Sequence, residues 1–205
     1  MVTARGSMLF TALLLMLGAN HIGAAQSVTA RAPVPSENRG VFSLGLTFNM
    51  AGANITTSNS FWLTGGSAEL NASLFRGFGL TASITGLHTG NSGGGTPVNL
   101  LVETIGPSYL LQASRGKHPA TFFVHGLIGE ANGFNGVYPK STAPDFSANG
   151  LAAKVGGGID LKVSHHVSVR LFEANWLRTQ LPNSTTNIQN DVELGAGIVF
   201  RIAKP

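Results

Sequence analysis

The sequence predicts an all-β fold, an eight-stranded antiparallel transmembrane β-barrel, and three observations predict it. The first is period-two alternation. Ala153, Val155, Gly157, Ile159, Leu161 and Val163 alternate with Ala152, Lys154, Gly156, Gly158, Asp160 and Lys162. Near the C-terminus Val192, Leu194, Ala196, Ile198, Phe200 and Ile202 alternate with Glu193, Gly195, Gly197, Val199 and Arg201. A period of two sends each set to one face of a sheet. One face is then apolar and the other carries glycines and charges of both signs, as when lipid lies outside a barrel and small or charged side chains fill its lumen. The second observation is that only 11% of the chain is charged, against about 25% in soluble domains. That is too little to coat the outside of a soluble barrel. The third is that long polar connections alternate with short ones, as extracellular loops alternate with periplasmic turns.

Residues 1–25 read as a signal peptide. Arg5 gives a basic start, Met8 to Leu17 is apolar or small apart from Thr11, and Gly23, Ala24 and Ala25 precede an expected cleavage before Gln26. The apolar run is too short for a membrane-spanning helix, which takes about 20 residues. Its removal would lower the net charge from +4 to +3. So small an excess, without a basic patch interleaved with aromatics, points away from nucleic acid. There is no cysteine, so an exported chain of this kind is held without disulfides. Residues 26–39, with Pro33 and Pro35, read as a periplasmic lead-in, and residues 40–205 as the barrel.

Strand 1 is expected over Gly40 to Ala51, with Phe42, Leu44, Leu46, Phe48 and Met50 on one face. Strand 2 follows over Phe61 to Leu74, with Glu69 on the polar face, and strand 3 over Gly79 to His88. Strand 4, Val98 to Gln112, contains Glu103 and Pro107, and its register is open because proline cannot donate to a ladder. Strand 5 is expected over Ala120 to Ala131, with His125 turned inward. The longest loop is expected over Asn132 to Ala148. Strand 6 begins at Asn149, a tight turn lies at Ser164, His165 and His166, and strand 7 covers Val167 to Thr179. A polar loop from Gln180 to Gln189 leads to strand 8. Arg170 and Glu173 in strand 7 are three apart, so regular alternation would put one of them in lipid. A β-bulge at Leu171 and Phe172 would turn Arg170, Glu173 and Asn175 all inward.

Aromatic residues gather near strand ends. Phe42, Phe75, Phe78, Tyr109, Phe122 and Phe200 are expected on the short-turn side, and Phe48, Phe61, Trp62 and Trp176 on the long-loop side. Two such girdles mark the interfaces of a membrane barrel. Inside, Glu69, Asp160, Glu173 and Glu193 are matched in number by Lys154, Lys162, Arg170 and Arg201. Pairing offsets the cost of charge in a low-dielectric lumen. The lumen of eight strands is about filled by side chains, so these charges and His125 are expected to form a polar plug.

The pattern resembles the small eight-stranded outer-membrane barrels of Gram-negative bacteria, the OmpA-like transmembrane domain and its porin-family relatives. The likeness is carried by Gly156-Gly157-Gly158-Ile159-Asp160, Val169-Arg170-Leu171, Asn175-Trp176-Leu177-Arg178-Thr179 and Gly195-Ala196-Gly197-Ile198-Val199-Phe200. It implies residence in the outer membrane, contact with its lipid and recognition by the outer-membrane assembly machinery, with Phe200 as the terminal aromatic. The peptidoglycan-binding domain of full-length relatives is not expected in this chain.

Other constellations are weaker. Gly90-Asn91-Ser92-Gly93-Gly94 has nucleophile-elbow spacing but no helix after it. His125-Gly126-Leu127 lacks the serine of barrel lipid A deacylases. His165 and His166 diverge at a strand end and lack a third ligand. No cofactor, metal or catalytic residue is expected. The sequence thus supports a non-enzymatic outer-membrane barrel with a structural role or an interaction role through its extracellular loops. The alternatives are a small gated or low-conductance pore, then a lipid-modifying enzyme or a soluble periplasmic lipid-binding barrel.

Overall fold

A computed structural model describes residues 42–53, 61–90, 97–113, 119–138, 145–182 and 187–202. The expected signal peptide, the lead-in and most of the glycine-rich segment after Gly90 lie outside the described residues. The strands are β1 (Phe42–Ala53), β2 (Phe61–Phe75), β3 (Phe78–Thr89), β4 (Val98–Ala113), β5 (Ala120–Tyr138), β6 (Asp145–Lys162), β7 (Val167–Thr179) and β8 (Gln189–Ile202). Each pairs antiparallel with the next, and β8 pairs with β1 to close the barrel. Closure leaves no free sheet edge along the wall, the condition lipid imposes.

The expected loop 132–148 is largely strand. β5 runs on to Tyr138 and β6 starts at Asp145, because Asn132, Gly133 and Phe134 pair with Asn149, Ala148 and Ser147. The residues that read as turn formers sit in an irregular hairpin. Asn135 takes a positive φ of 57°, and the register shifts between Phe134 and Tyr138. Gly133 is required there by the Tyr138 ring, which occupies the space a Cβ would need.

Alternation sorts the wall as the pattern demands. Leu46, Phe48, Met50, Leu70, Ile84, Ile105, Ile128, Val155 and Ile198 are exposed on the outside. Thr47, Asn49, Glu69, Thr85, Lys154 and Glu193 are buried inside. A soluble lipid-binding barrel has the reverse distribution, apolar within and polar without. Glu103 and Pro107 both face outward. The β4–β5 ladder lapses at Gly106 and Pro107 between the pairs Ile105–Ile128 and Ser108–His125, as the missing proline N–H requires.

The register also fixes how the strands lean. One row of outward residues runs Leu44, Leu70, Ala82, Ile105, Ile128, Ala153, Arg178, Asn190. It begins near the periplasmic end of β1 and finishes near the extracellular end of β8. Paired rows therefore climb toward the extracellular rim from β1 to β8, the stagger that closing a tilted sheet requires.

The bulge in β7 lies where the charge spacing puts it. Register shifts between Arg170 and Glu173 against β8 and between Ile159 and Asp160 against β6. Leu171 and Phe172 both point outward, and Arg170, Glu173 and Asn175 are all buried inside.

Candidate functional site

The interior is built in two layers, and β7 carries the centre of the lower one. Arg170 donates from Nε to Asp160 Oδ1 at 2.9 Å and from Nη1 to Glu173 Oε2 at 2.6 Å. The same Nη1 donates to Glu69 Oε2 on β2. The guanidinium also lies over the inward-facing Phe123 ring, 4.2 Å from its centroid, a favourable cation–π arrangement. Asn175 extends the chain of bonds, donating from Nδ2 to Glu173 Oε1 at 2.8 Å and to Glu193 Oε1 at 3.3 Å. Its Oδ1 meets His125 Nε2 at 2.9 Å. Lys154 donates to Glu193 at 3.2 Å and to Thr85 Oγ1 at 2.9 Å.

Seven of the nine interior residues singled out in the sequence thus join one network: Glu69, His125, Lys154, Asp160, Arg170, Glu173 and Glu193. Arg201 instead donates to Thr121 Oγ1 at 3.2 Å, and Lys162 is half-buried near the periplasmic mouth. Phe123, Thr85 and Asp191 were not singled out. Phe123 and Thr85 share the parity of known inward residues, His125 and Ser83. Asp191, buried inside, stands two residues before Glu193 on the same face, just past the polar loop expected to end at Gln189.

Glycines make room for this network. A Cβ at Gly156 would strike Asn175, and one at Gly195 would strike Asn49 and Thr47. Below the network a small cavity of about 30 Å³ is bordered by Asn71, Ser108, His125, Asp160 and Arg170. Asn71 Nδ2 donates to Thr81 and Ser108 hydroxyls, both at 2.7 Å.

The upper layer, toward the long connections, is apolar. Leu63, Leu87, Leu100, Val102, Tyr138, Leu177 and Leu181 form one buried cluster with Phe61 and several alanines. This corrects two expectations. The interior is not polar throughout. Phe61, 8% exposed, belongs to this cluster and not to a girdle, whereas Trp62 is 58% exposed. Adjacent strand residues face opposite ways, so only one of the two could reach lipid. Phe42, Phe48, Phe75, Phe78, Phe122, Phe200 and Trp176 are exposed on the outside. Tyr109 packs edge-on against Phe78 with ring centroids 4.9 Å apart. Phe48 sits in mid-strand beside Gly66 and Ala196, away from the rim.

Glu69, His125 and Glu173 offer ligand atoms within 4.8 Å of one another. The cation between the two carboxylates is already supplied by Arg170 Nη1. The hydrogen-bonded neighbour of His125 is the Asn175 amide, which is no nucleophile. His165 and His166 are exposed in the β6–β7 turn, which is closed by hydrogen bonds from Val163 and Ser164 to Val167.

A closed barrel with apolar side chains outside and charges inside is a membrane-spanning barrel. The comparisons agree on the class. The fold is that of the small eight-stranded outer-membrane barrels. The chain is similar to neisserial surface protein A, at 14% identity and a TM-score of 0.57 over 80% of this chain and 100% of that one. It is also similar to Ail, the attachment invasion locus protein of Yersinia pestis, solved in complex with the heparin analogue sucrose octasulfate. That match has 11% identity and a TM-score of 0.50 over 80% of this chain and 99% of that one. No family model and no curated protein matches the chain.

Proposed function

We propose that this protein is a non-enzymatic barrel of the bacterial outer membrane, closed to solutes, that acts through what its extracellular connections present. The observation that carries the closed lumen is the apolar layer. Leu63, Val102 and Leu177 are wholly buried, and Leu100 and Tyr138 nearly so. An ion passing through would lose most of its hydration against these side chains, among which only the Tyr138 hydroxyl is polar. The charge network beneath adds a second obstacle, because each of its charges is already bonded to a partner.

An attachment role is supported by the hairpin of β5 and β6. It runs on beyond the level where β4 and β7 end, with Phe134 exposed level with Asn99 of β4 and Phe146 exposed near the tip. Exposed large apolar groups of this kind mark sites of contact with another protein or a membrane. The likeness to Ail, an attachment protein by its name, points the same way.

The test is ion conductance of the folded barrel in planar bilayers. A closed barrel gives no discrete current steps. Steps that survive removal of contaminating porins would establish the small-pore reading. Adhesion of cells displaying the wild-type barrel, compared with a variant carrying Phe134→Ser and Phe146→Ser, tests the attachment role.

A further inference from the structure

Among the described residues, Glu103, Glu130 and Arg178 are outer-wall charges without an ion-pair partner. Glu103 on β4 and Glu130 on β5 are direct cross-strand partners and both are exposed on the outside. Like charges placed directly opposite one another repel. Arg178, also outward and half-buried, lies on the far side of β6. Among the described residues no ion pair joins any of the three to an opposite charge.

Their placement is symmetric about β6. Glu130 stands beside Leu151 and Arg178 beside Ala153, so Arg178 is one outward step lower along the strands. Paired rows climb toward the extracellular rim on passing from β5 to β7, and that climb brings Arg178 back to the depth of Glu130. Between them β6 offers Leu151 and Ala153 on its outer face, with Val155 and Gly157 below, an apolar strip against which a second wall can pack. A two-fold axis along the membrane normal, just outside β6, would set β5 of one copy against β7 of the other, twice over. A self-complementary patch of this kind is what a two-fold interface requires.

We propose that two copies of this barrel pair through β6, with each Arg178 set against Glu130 of the partner subunit. Both contacts then lie at one depth, one outward step beyond Trp176 at the extracellular interface, where opposite charges attract. Each arginine also relieves the repulsion between Glu130 and Glu103. The occupant is a second copy because the exposed wall supplies both halves of the ion pair. The inference rests on the outside wall meeting lipid, and it is independent of whether the lumen conducts.

The absence of cysteine makes the test clean. Ala153→Cys places one thiol near the proposed axis, and Leu70→Cys places one on β2 at the opposite wall. Each full chain is folded into phosphatidylcholine vesicles free of lipopolysaccharide, with EDTA present, and then oxidised. Heat-modifiability confirms that only folded barrels are compared. A disulfide-linked dimer is expected from Ala153→Cys and not from Leu70→Cys. Adding Glu130→Arg or Arg178→Glu to Ala153→Cys should abolish the dimer. Mixing those two charge variants should restore it, because E130R against R178E opposes unlike charges at both contacts. Three results would each overturn the proposal: no cross-link at position 153 in folded barrels, cross-linking indifferent to charge reversal, or failure of the mixture to recover. Cross-linking that appears only when magnesium replaces EDTA would also overturn it, since a bridging cation would then hold the glutamates.

Discussion

Arg170 and Glu173, three residues apart in β7, both point into the barrel and are bonded to each other, Nη1 to Oε2, at 2.6 Å. No regular strand permits this, because positions three apart face opposite ways. The extra residue at Leu171 and Phe172 permits it, and it lets one guanidinium hold Glu69, Asp160 and Glu173 together. Three strands, β2, β6 and β7, are thereby tied across the lumen at a single side chain.

The network is therefore lopsided, and its variants should be too. Arg170→Met leaves three buried carboxylates without their cation and should cost about 3–5 kcal/mol or more. Glu173→Gln should cost less, because Asp160 and Glu69 still hold the guanidinium. Urea unfolding in lipid vesicles measures both. Equal losses would mean that Arg170 and Glu173 behave as an isolated pair.

The bulge itself is open to test. Deleting Leu171 removes the extra residue and leaves regular ladders in which Arg170, Glu173 and Asn175 all stay inward. Deleting Ala174 instead, in the regular part of the strand, turns every later inward side chain of β7 to the other face. The first variant should still fold and the second should not, scored by heat-modifiability. Loss of folding in both would show that the extra residue at Leu171 and Phe172 is not what reconciles the two charges.

Phe61 and Trp62 should separate by face. Phe61→Ala opens a cavity in the upper layer and should cost about 3–5 kcal/mol. Trp62→Ala removes a ring from the outer surface and should cost clearly less. Chemical unfolding of the two variants in one lipid distinguishes them, and a reversed order would put Phe61 outside.

Charge on the outer wall should be penalised by lipid. Ile198→Arg, at an exposed site in β8, should destabilise by about 2–4 kcal/mol near the midplane. Gly195→Val should also impair folding, for another reason, because its side chain would collide with Asn49 and Thr47 in the lumen. Thinning the bilayer should ease the first defect and leave the second unchanged. If both respond alike, the two faces have been assigned wrongly.

Faces and the β7 bulge were legible in the sequence because both follow from period-two alternation, and Arg170 and Glu173 announced the break in strand 7. The pairings were not legible. Glu69 and Arg170 are 101 residues apart, and which carboxylate meets which cation depends on register around the whole barrel. Equal numbers of inward acids and bases suggested simple pairs, whereas the structure gathers three carboxylates on one arginine. The apolar upper layer was hidden for a different reason. Leu63, Leu87, Leu100 and Leu177 occupy inward positions near the strand ends, where the outward neighbours mix Trp62, Leu101 and Trp176 with Thr64, His88, Asn99 and Arg178 and the pattern loses contrast. The hairpin extension to Tyr138 was masked by Asn132, Gly133, Asn135 and Gly136, which read as a turn but form a bulged ladder closed over a buried tyrosine.

Contact between the outer wall and lipid underlies every step from alternation to function, and the two tryptophans report on it directly. Trp62 and Trp176 both lie exposed on the outside, toward the extracellular end. The decisive measurement is their fluorescence after folding into bilayers of brominated phosphatidylcholine. Strong quenching is predicted, greater when the bromines sit high on the acyl chains than when they sit near the methyl ends. Emission unchanged from that in unbrominated lipid would contradict a membrane-spanning barrel.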